Sequence, residues 1–127
     1  MDGSRKSAGD SARADIYRFA GGWADLADGK LHSRSGARVQ LSKREAELLR
    51  YLARQAGQAV SRDQILLDVW QLDPRKTFTR TVDMHIAHLR NKLGDDPSRP
   101  EVLFTLHGHG YMLAGNHRRT RAPAGAC

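Results

Sequence analysis

Two copies of one helix-start signal lie in the middle of the chain and fix where two of its helices begin. In each copy a serine is followed three positions later by Glu or Gln, as in Ser42–Glu45 and Ser61–Gln64. The serine hydroxyl accepts a hydrogen bond from the backbone amide of that third residue, whose side chain reaches back to the amide of the serine. Apolar residues then recur at helical spacing after each signal. The sequence therefore predicts a first helix from Ser42 to Gly57, its expected C-cap, and a second helix of about ten residues.

A single apolar stripe predicts a third helix over about 79–94. The stripe consists of Val82, Ile86, Leu89 and Leu93, and Gly94 ends the pattern. Successive residues of an α-helix are about 100° apart, so the side opposite the stripe carries a different set of side chains. That set is Arg80, Met84, Ala87, His88 and Asn91, with Thr81, His85 and Lys92 along one edge and Asp83 and Arg90 along the other. We expect the stripe to face a core and the donors to face outward.

Short β-prone segments precede and follow the three predicted helices. Before them, apolar residues between Ile16 and Leu41 are separated by three glycine-containing turns at 21–22, 28–29 and 35–36. After them, the turn at 107–110 separates two apolar segments and predicts a hairpin over about 102–113. Asp73-Pro74 predicts a loop at 71–78 between the second and third helices. The fold class is α+β, and three helices followed by a hairpin match a winged helix-turn-helix.

Composition divides the chain into one domain and two ends. Met1 aside, residues 1–14 and 116–127 lack large apolar side chains, which predicts a flexible linker and a flexible basic tail around a domain at 15–115. No apolar run approaches the roughly 20 residues of a membrane span, and the start of the chain has no hydrophobic signal segment. We therefore expect a cytoplasmic protein without a membrane partner. The single cysteine, Cys127, excludes an internal disulfide.

The balance of charges indicates a polyanionic partner. The chain has 21 Lys and Arg against 14 Asp and Glu, a formal net charge of +7, and such an excess attracts nucleic acid. On the outward side of the third helix, Arg and His side chains can donate to guanine or phosphate, while Met84 and Ala87 can lie against a thymine methyl. The alternative interpretation of this pattern is the solvated face of an ordinary amphipathic helix.

The motifs, in their order and spacing, resemble the DNA-binding effector domain of the OmpR/PhoB family of bacterial two-component response regulators. The resemblance runs from about Tyr17 to Leu113 and rests on the stretches at 60–66, 69–70, 80–86, 89–94 and 107–111. It implies a four-stranded antiparallel N-terminal sheet, three helices and a C-terminal hairpin. It also implies that the third helix lies in the major groove of DNA, that the hairpin reaches a minor groove, and that the loop at 71–78 contacts RNA polymerase.

The resemblance assigns roles to individual residues. The base contacts that it implies are Arg80, Met84, His85 and His88. The phosphate contacts that it implies are Arg62, Trp70, Thr81, Arg90, Thr105 and Tyr111. The wing tip that it implies consists of His107, Gly108, His109 and Gly110. Where arginine is common in the family, this chain has Ala87, His88 and His107, which predicts weaker or differently targeted base readout. A module that keeps the fold and has lost DNA binding is the alternative.

Partners also follow from the resemblance. It implies tandem direct repeats of duplex DNA, bound by a head-to-tail dimer of a domain that is monomeric alone, and a receiver domain and sensor kinase in the complete system. Fourteen linker-like residues cannot hold a receiver domain, so the chain is either a fragment or a lone DNA-binding domain. Both alternatives stay open, although the linker-like composition favours a fragment.

Two other function classes fit the sequence less well. His85 and His88 lie one helical turn apart and could share a metal ion, but no carboxylate or thiolate lies at a matching position and no nucleophile has a base nearby. An enzyme or a metal sensor is therefore not expected, and neither is a cofactor. A single-stranded RNA module needs an aromatic stacking platform, whereas the eight aromatic residues (Trp 2, Tyr 3, Phe 3) lie at core-like positions.

Overall fold

The described part of the chain comprises residues 15–115 and 117–119 of a computed structural model, with only the backbone described for Asp15 and 117–119. The predicted linker at 1–14 and the remainder of the predicted tail, including Cys127, lie outside these residues. None of the helices in the described residues combines the length and apolar character that crossing a bilayer requires.

Strands, helices and a hairpin follow one another in the predicted order. The first four strands are β1 (Asp15–Phe19), β2 (Gly22–Asp25), β3 (Lys30–Ser33) and β4 (Arg38–Gln40). The helices are α1 (Lys43–Arg54), α2 (Arg62–Trp70) and α3 (Arg80–Leu93). The last strands are β5 (Leu103–Leu106), β6 (Gly110–Leu113) and β7 (His117–Arg119). The predicted α+β architecture is confirmed.

The N-terminal sheet is antiparallel and has one strand more than the four predicted. Its order is β4-β3-β2-β1-β7, with Ile16 opposite Asp25 on one side and opposite Arg118 on the other. The sequence predicts His117–Arg119 as tail, but their backbone pairs with β1. The inner face of the sheet buries alternate side chains, such as Tyr17 and Ala24.

Both predicted capping boxes are present and start α1 and α2. Ser42 Oγ accepts from the Glu45 amide, and Glu45 Oε1 accepts from the Ser42 amide at 2.8 Å. Ser61 and Gln64 make the same pair of bonds at the start of α2. The predicted end of α1 is wrong by two residues, because Gln55 and not Gly57 is the C-cap. Gly57 lies in the following turn, where its amide donates to the carbonyl of Leu113.

The apolar stripe of α3 lies in the core, as predicted. Its four members are at most 5% exposed and pack with buried residues of the sheet, of α1 and of α2. Gly94 ends α3 with a left-handed φ of 74°, which glycine adopts without steric strain. The helix is therefore held with one side inward and the opposite side in solvent.

Backbone contacts fix the C-terminal hairpin, β5 and β6, against the helices. Val60, in the link between α1 and α2, exchanges two backbone hydrogen bonds with Tyr111 of β6 at 2.8 and 2.9 Å. At Gly110 a Cβ atom would lie 2.0 Å from the Val60 carbonyl oxygen, so no other residue fits this approach. The buried carboxylate of Asp95 accepts from the amides of Val102 and Leu103 and closes the loop before β5.

Candidate nucleic-acid interface

The outward side of α3 carries the five side chains that the sequence predicts. We call this set the outer face of α3, and all of its members are exposed: Arg80, Met84, Ala87, His88 and Asn91. Met84 is half exposed, at 51%. In the described residues this face combines three donors with two apolar side chains, Met84 and Ala87, on a helix that the core holds rigidly from behind. Such a face can reach base edges in a major groove.

Along one edge of α3, a carboxylate holds two of the predicted phosphate contacts. Asp83 Oδ1 accepts from Arg62 Nε at 2.7 Å and from the Tyr111 hydroxyl at 2.5 Å. The Arg62 guanidinium also lies 5.3 Å from the centroid of the Tyr111 ring. We call this side the wing edge, because it joins α3 and the start of α2 to β6. Asp83 is thus the residue that orients Arg62 and Tyr111.

The pKa directions on the wing edge follow from these contacts. Partial burial of Asp83 opposes its ionisation, but hydrogen bonds from Tyr111 and Arg62 outweigh burial and lower its pKa. Burial and the bond to Asp83 raise the pKa of Tyr111. The Asp83 carboxylate likewise raises the pKa of Arg62. The three groups therefore favour one charge state, an anion between a cation and a neutral phenol.

Arg90, also on the wing edge, is turned into the protein. It is 9% exposed, and its Nη2 donates to the Leu103 carbonyl at 2.9 Å and to Thr105 Oγ1 at 2.6 Å. A further bond runs from Arg90 Nε to the same carbonyl at 3.2 Å. Two predicted phosphate contacts, Arg90 and Thr105, are therefore bonded to each other, and this pair fastens β5 to α3.

A different cluster lines the opposite edge of α3, which we call the α1 edge. His85 packs against Trp70 at the end of α2, with ring centroids 4.7 Å apart. Its Nδ1 donates to the Thr81 carbonyl at 2.8 Å, since a carbonyl oxygen can only accept. The Arg44 guanidinium of α1 lies 5.4 Å from the centroid of the Trp70 indole. Two predicted contacts, Trp70 and His85, thus pack together, and Trp70 also contacts Arg44, which was not predicted.

Within the described part of the chain, the indole nitrogen of Trp70 lacks a hydrogen-bond partner. Trp70 is 7% exposed, and among the described residues its Nε1 is the one buried side-chain nitrogen or oxygen atom without a partner. Native proteins pair nearly all such groups, and an orphaned donor calls for a specific explanation. The α1 edge therefore differs from the wing edge, where Asp83 receives the donors.

A second carboxylate near α3, that of Glu45, forms an ion pair with Lys92 on the α1 edge. Glu45 is buried and accepts from Lys92 Nζ at 2.7 Å. Burial opposes ionisation of Glu45, but hydrogen bonds from Lys92 and Ser42 prevail and lower its pKa. This pair ties the first turn of α1 to the last turn of α3.

The wing tip lies at the turn between β5 and β6. His107, Gly108 and His109 are exposed, and Gly108 has a left-handed φ of 81° that suits glycine.

Of the other predicted contacts, Arg80, Met84 and His88 lie together on the outer face of α3. Among the described residues no group of three or more His, Cys, Asp or Glu side chains could hold a metal ion.

Sequence reasoning missed two residues that organise this surface. Asp95 shapes the loop before the hairpin, and Asp95-Asp96-Pro97 signals a turn without showing which amides the carboxylate accepts from. Arg44 is the second residue of α1, a position where the helix dipole favours an acidic side chain over a basic one. That unusual placement is the signal that could have identified Arg44.

A model of the family described as "Transcriptional regulatory protein, C terminal" matches residues 36–113. The probable transcriptional regulator ycf27 of Porphyra purpurea is 45% identical over 81 residues, which are 63% of this chain and 33% of that protein. The ycf27 protein of Cyanophora paradoxa is 41% identical over 81 residues, 63% of this chain and 34% of that protein. This chain therefore spans about a third of the length of these relatives.

Solved structures share the fold. The DNA-binding domain of Klebsiella pneumoniae RstA, in complex with the RstA box, superposes with a TM-score of 0.68 at 29% identity, covering 79% of this chain and 97% of that one. DrrB of Thermotoga maritima, an OmpR/PhoB homologue, has a TM-score of 0.67 at 34% identity, covering 79% and 44%. The hairpin held beside an outward-facing α3 is thus a winged helix, and the chain belongs to the family of C-terminal DNA-binding effector domains of OmpR/PhoB-type transcriptional regulators.

Proposed function

We propose that this domain recognises a specific duplex DNA sequence by placing the outer face of α3 in a major groove. The observation that supports this proposal most directly is that the outer face is exposed, while hydrogen-bond donors lie at fixed positions along both of its edges. Arg80 and His88 would donate to base edges, Met84 and Ala87 would lie against thymine methyl groups, and His85 would reach a base from its edge. The wing tip would lie at the neighbouring minor groove.

Backbone phosphates are the proposed ligands of both edges of α3. On the wing edge, Asp83 orients Arg62 before DNA arrives, which lowers the entropy lost on binding. Tyr111 donates its single hydroxyl proton to Asp83, so it would contact phosphate by turning that proton to the DNA. On the α1 edge, Trp70 and Thr81 are the proposed contacts. We assign Arg90 and Thr105 to holding the hairpin, because their side chains are bonded to each other inside the protein.

We further propose that two copies bind head to tail on tandem direct repeats and that the domain is monomeric alone. The loop at 71–78 is the proposed contact with RNA polymerase, and its exposed Phe78, at 85%, supports a protein partner there. A receiver domain and a sensor kinase are the partners proposed for the complete regulator. Phe78→Ala should lower activated transcription without changing DNA affinity.

Selection from a random duplex pool, followed by titration of the selected sequence against salt, tests the proposal. Enrichment of two direct repeats about one helical turn apart is expected, with affinity that falls steeply as salt rises. Arg80→Ala should weaken binding to the selected site by about 1–3 kcal/mol. Absence of both enrichment and salt-dependent binding would leave the alternative, an interaction module without DNA binding.

A further inference from the structure

Four side chains form one row across the outer face of the N-terminal sheet. The strand registers place Arg18 opposite Trp23, Trp23 opposite His32, and His32 opposite Arg38, so the four residues follow one another over β1, β2, β3 and β4. We call this set the sheet row. The next residues along each strand face the core, so the row lies on the side of the sheet that is turned to solvent. Neighbouring strands are spaced such that the row is about 14 Å long.

The centre of the sheet row is a stacked pair of flat rings. The Trp23 indole and the His32 imidazole have centroids 3.9 Å apart and planes only 10° from parallel. Both residues are partly exposed. The aromatic residues were expected at core-like positions, without a stacking platform, and Trp23 contradicts that expectation. A partly exposed indole beside an imidazole offers ring surface to a planar ligand.

The two ends of the sheet row are cations without an anionic partner in the described part of the chain. Arg18 and Arg38 are exposed, and neither side chain makes a hydrogen bond or an ion pair with another described residue. Lys30 adds a third exposed cation to this face. The Asp25 carboxylate on the same face accepts from two backbone amides in the turn after β2. The face is therefore positively charged and complements an anionic ligand.

We propose that the sheet row binds single-stranded DNA, with bases stacked on the ring pair and phosphates at the two arginines. Proteins that bind single strands combine a positive surface, which follows the backbone, with aromatic side chains on which bases stack. The sheet row has both features in one line, with a cation at each end and the rings between. An acidic peptide would use the cations and leave the rings without a planar partner. In a duplex the base faces are already stacked on one another, so a duplex would not use the rings either.

The sheet row is separate from the surface that we propose for duplex DNA. The inner face of the sheet and the apolar stripe of α3 pack into one core. The outer face of each element therefore turns away from that core on its own side. A duplex bound to α3 would leave the sheet row open, so one domain would hold both ligands. This inference goes beyond the proposed function and does not depend on it. We assign the strand as DNA because the family consists of DNA-binding effector domains.

Titration with an oligothymidylate of about twelve nucleotides tests the site. The chain has two tryptophans, so nuclear magnetic resonance of the indole N–H groups reports on each one. The Trp23 signal should shift during the titration while the Trp70 signal stays in place. An abasic strand of equal length keeps the phosphates and loses the bases, so it should bind at least fivefold more weakly. A shift of Trp70 alone, or equal binding of the abasic strand, would overturn the proposal.

Two further ligands decide between partner classes. Polyglutamate of equal length carries the anionic charge on a peptide, and tighter binding of polyglutamate than of oligothymidylate would assign the sheet row to an acidic protein. RNA of equal length has the same bases and phosphates in kind but adds the ribose 2′-hydroxyl. Tighter binding of that RNA than of oligothymidylate would overturn the assignment to DNA. We expect oligothymidylate to bind at least as tightly as either.

Substitutions in the sheet row separate its rings from its cations. Trp23→Leu keeps an apolar side chain but removes the ring, so affinity for oligothymidylate should fall about tenfold. Arg18→Gln and Arg38→Gln should each reduce the slope of log affinity against log salt by about 0.7. Arg99→Gln is the matched control, because Arg99 is exposed in the loop before β5 and loses the same charge. Equal slopes for wild type and these three arginine variants would overturn the site.

Duplex binding and thermal unfolding separate the ways in which the test can fail. Thermal unfolding of each variant verifies the fold, and the arginine variants keep the test independent of any contribution of Trp23 to the stability of the sheet. All variants of the sheet row should keep the affinity of wild type for the selected duplex. If wild type binds the selected duplex but shows no Trp23 shift with oligothymidylate, the single-strand site alone fails. If the Trp23 shift occurs and no duplex is bound, the proposed function alone fails.

Discussion

The two edges of α3 differ in whether the protein itself satisfies their hydrogen-bond donors. On the wing edge, Asp83 accepts from Arg62 and Tyr111, so the donors are satisfied before any ligand binds. On the α1 edge, the nearby carboxylate of Glu45 binds Lys92, and the Trp70 indole N–H has no partner among the residues that the structure describes. One edge is preorganised by internal bonds, and the other keeps an unsatisfied donor. Preorganisation stabilises the fold, whereas an unsatisfied donor lowers stability and favours a ligand.

Replacing Arg90 is expected to have the largest effect on the free energy of unfolding. Arg90→Met removes three hydrogen bonds and leaves the Leu103 carbonyl and the Thr105 hydroxyl without their partner. The free energy of unfolding should fall by about 3 kcal/mol in a urea titration. Arg80→Met, on the outer face of α3, is the control and should change stability by less than about 0.5 kcal/mol.

The same Arg90 variant tests whether this buried cation also binds phosphate. Because the guanidinium faces into the protein, the salt slope of DNA binding should match that of wild type under conditions where the variant is folded. A slope lower by about 1 would show that Arg90 contacts the backbone after all. Arg90 would then both hold β5 against α3 and bind phosphate, and the two edges of α3 would differ less.

Glu45→Gln tests the carboxylate on the α1 edge. Gln can still complete the capping box, but the ion pair with Lys92 is lost, so stability at neutral pH should fall by about 2 kcal/mol. Folding lowers the pKa of Glu45, so its contribution is present above the ordinary value of 4.5 and disappears as pH falls through the lowered value. The unfolding free energies of variant and wild type should therefore converge in acid.

Glu47→Gln is the matched control on the same helix and should change stability by less than about 0.5 kcal/mol. A Glu45→Gln deficit that stays constant from pH 7 to about pH 3 would contradict an ionic contribution. It would mean that Glu45 acts through packing alone.

Asp83→Asn tests the wing edge and should have a smaller effect. Both Asp83 and Arg62 are partly exposed, with side-chain exposures of 43% and 36%, so water screens their pairing. A stability loss of about 1 kcal/mol is expected, against none for Asp28→Asn in an exposed turn. Losing an anion beside DNA should also raise affinity for non-specific duplex while lowering the preference for the selected site, because Arg62 and Tyr111 are released. An unchanged preference would show that Asp83 does not orient them.

Local signals predicted most of this fold, because each depends on residues close together in the chain. The capping boxes fixed the starts of α1 and α2, and the apolar stripe identified the outer face of α3. The end of α1 was less well determined, since Gly57 takes its left-handed φ in a turn two residues beyond the C-cap, Gln55. Periodicity therefore defines faces better than it defines the ends of elements.

Features that depend on distant pairing were not predictable. The β7 segment, His-Arg-Arg, has little β propensity, and its strand exists because β1 offers an edge to pair with. Trp23 lies on the outer face of the sheet stacked on His32, although aromatic residues were expected in the core. Arg44 meets Trp70 across 26 positions, so no local pattern shows the contact.

His107→Arg should produce the smallest effect and tests the hairpin. His107 is exposed at the wing tip, where a permanent cation would add one phosphate contact near the minor groove. Affinity for the selected duplex should rise a few-fold, and the salt slope should steepen by about 1. Ala37→Arg, in the turn before β4, adds the same charge on the sheet and should change neither quantity. If both substitutions strengthen binding equally, net charge and not position governs affinity, and the two edges of α3 would then matter less than the total charge.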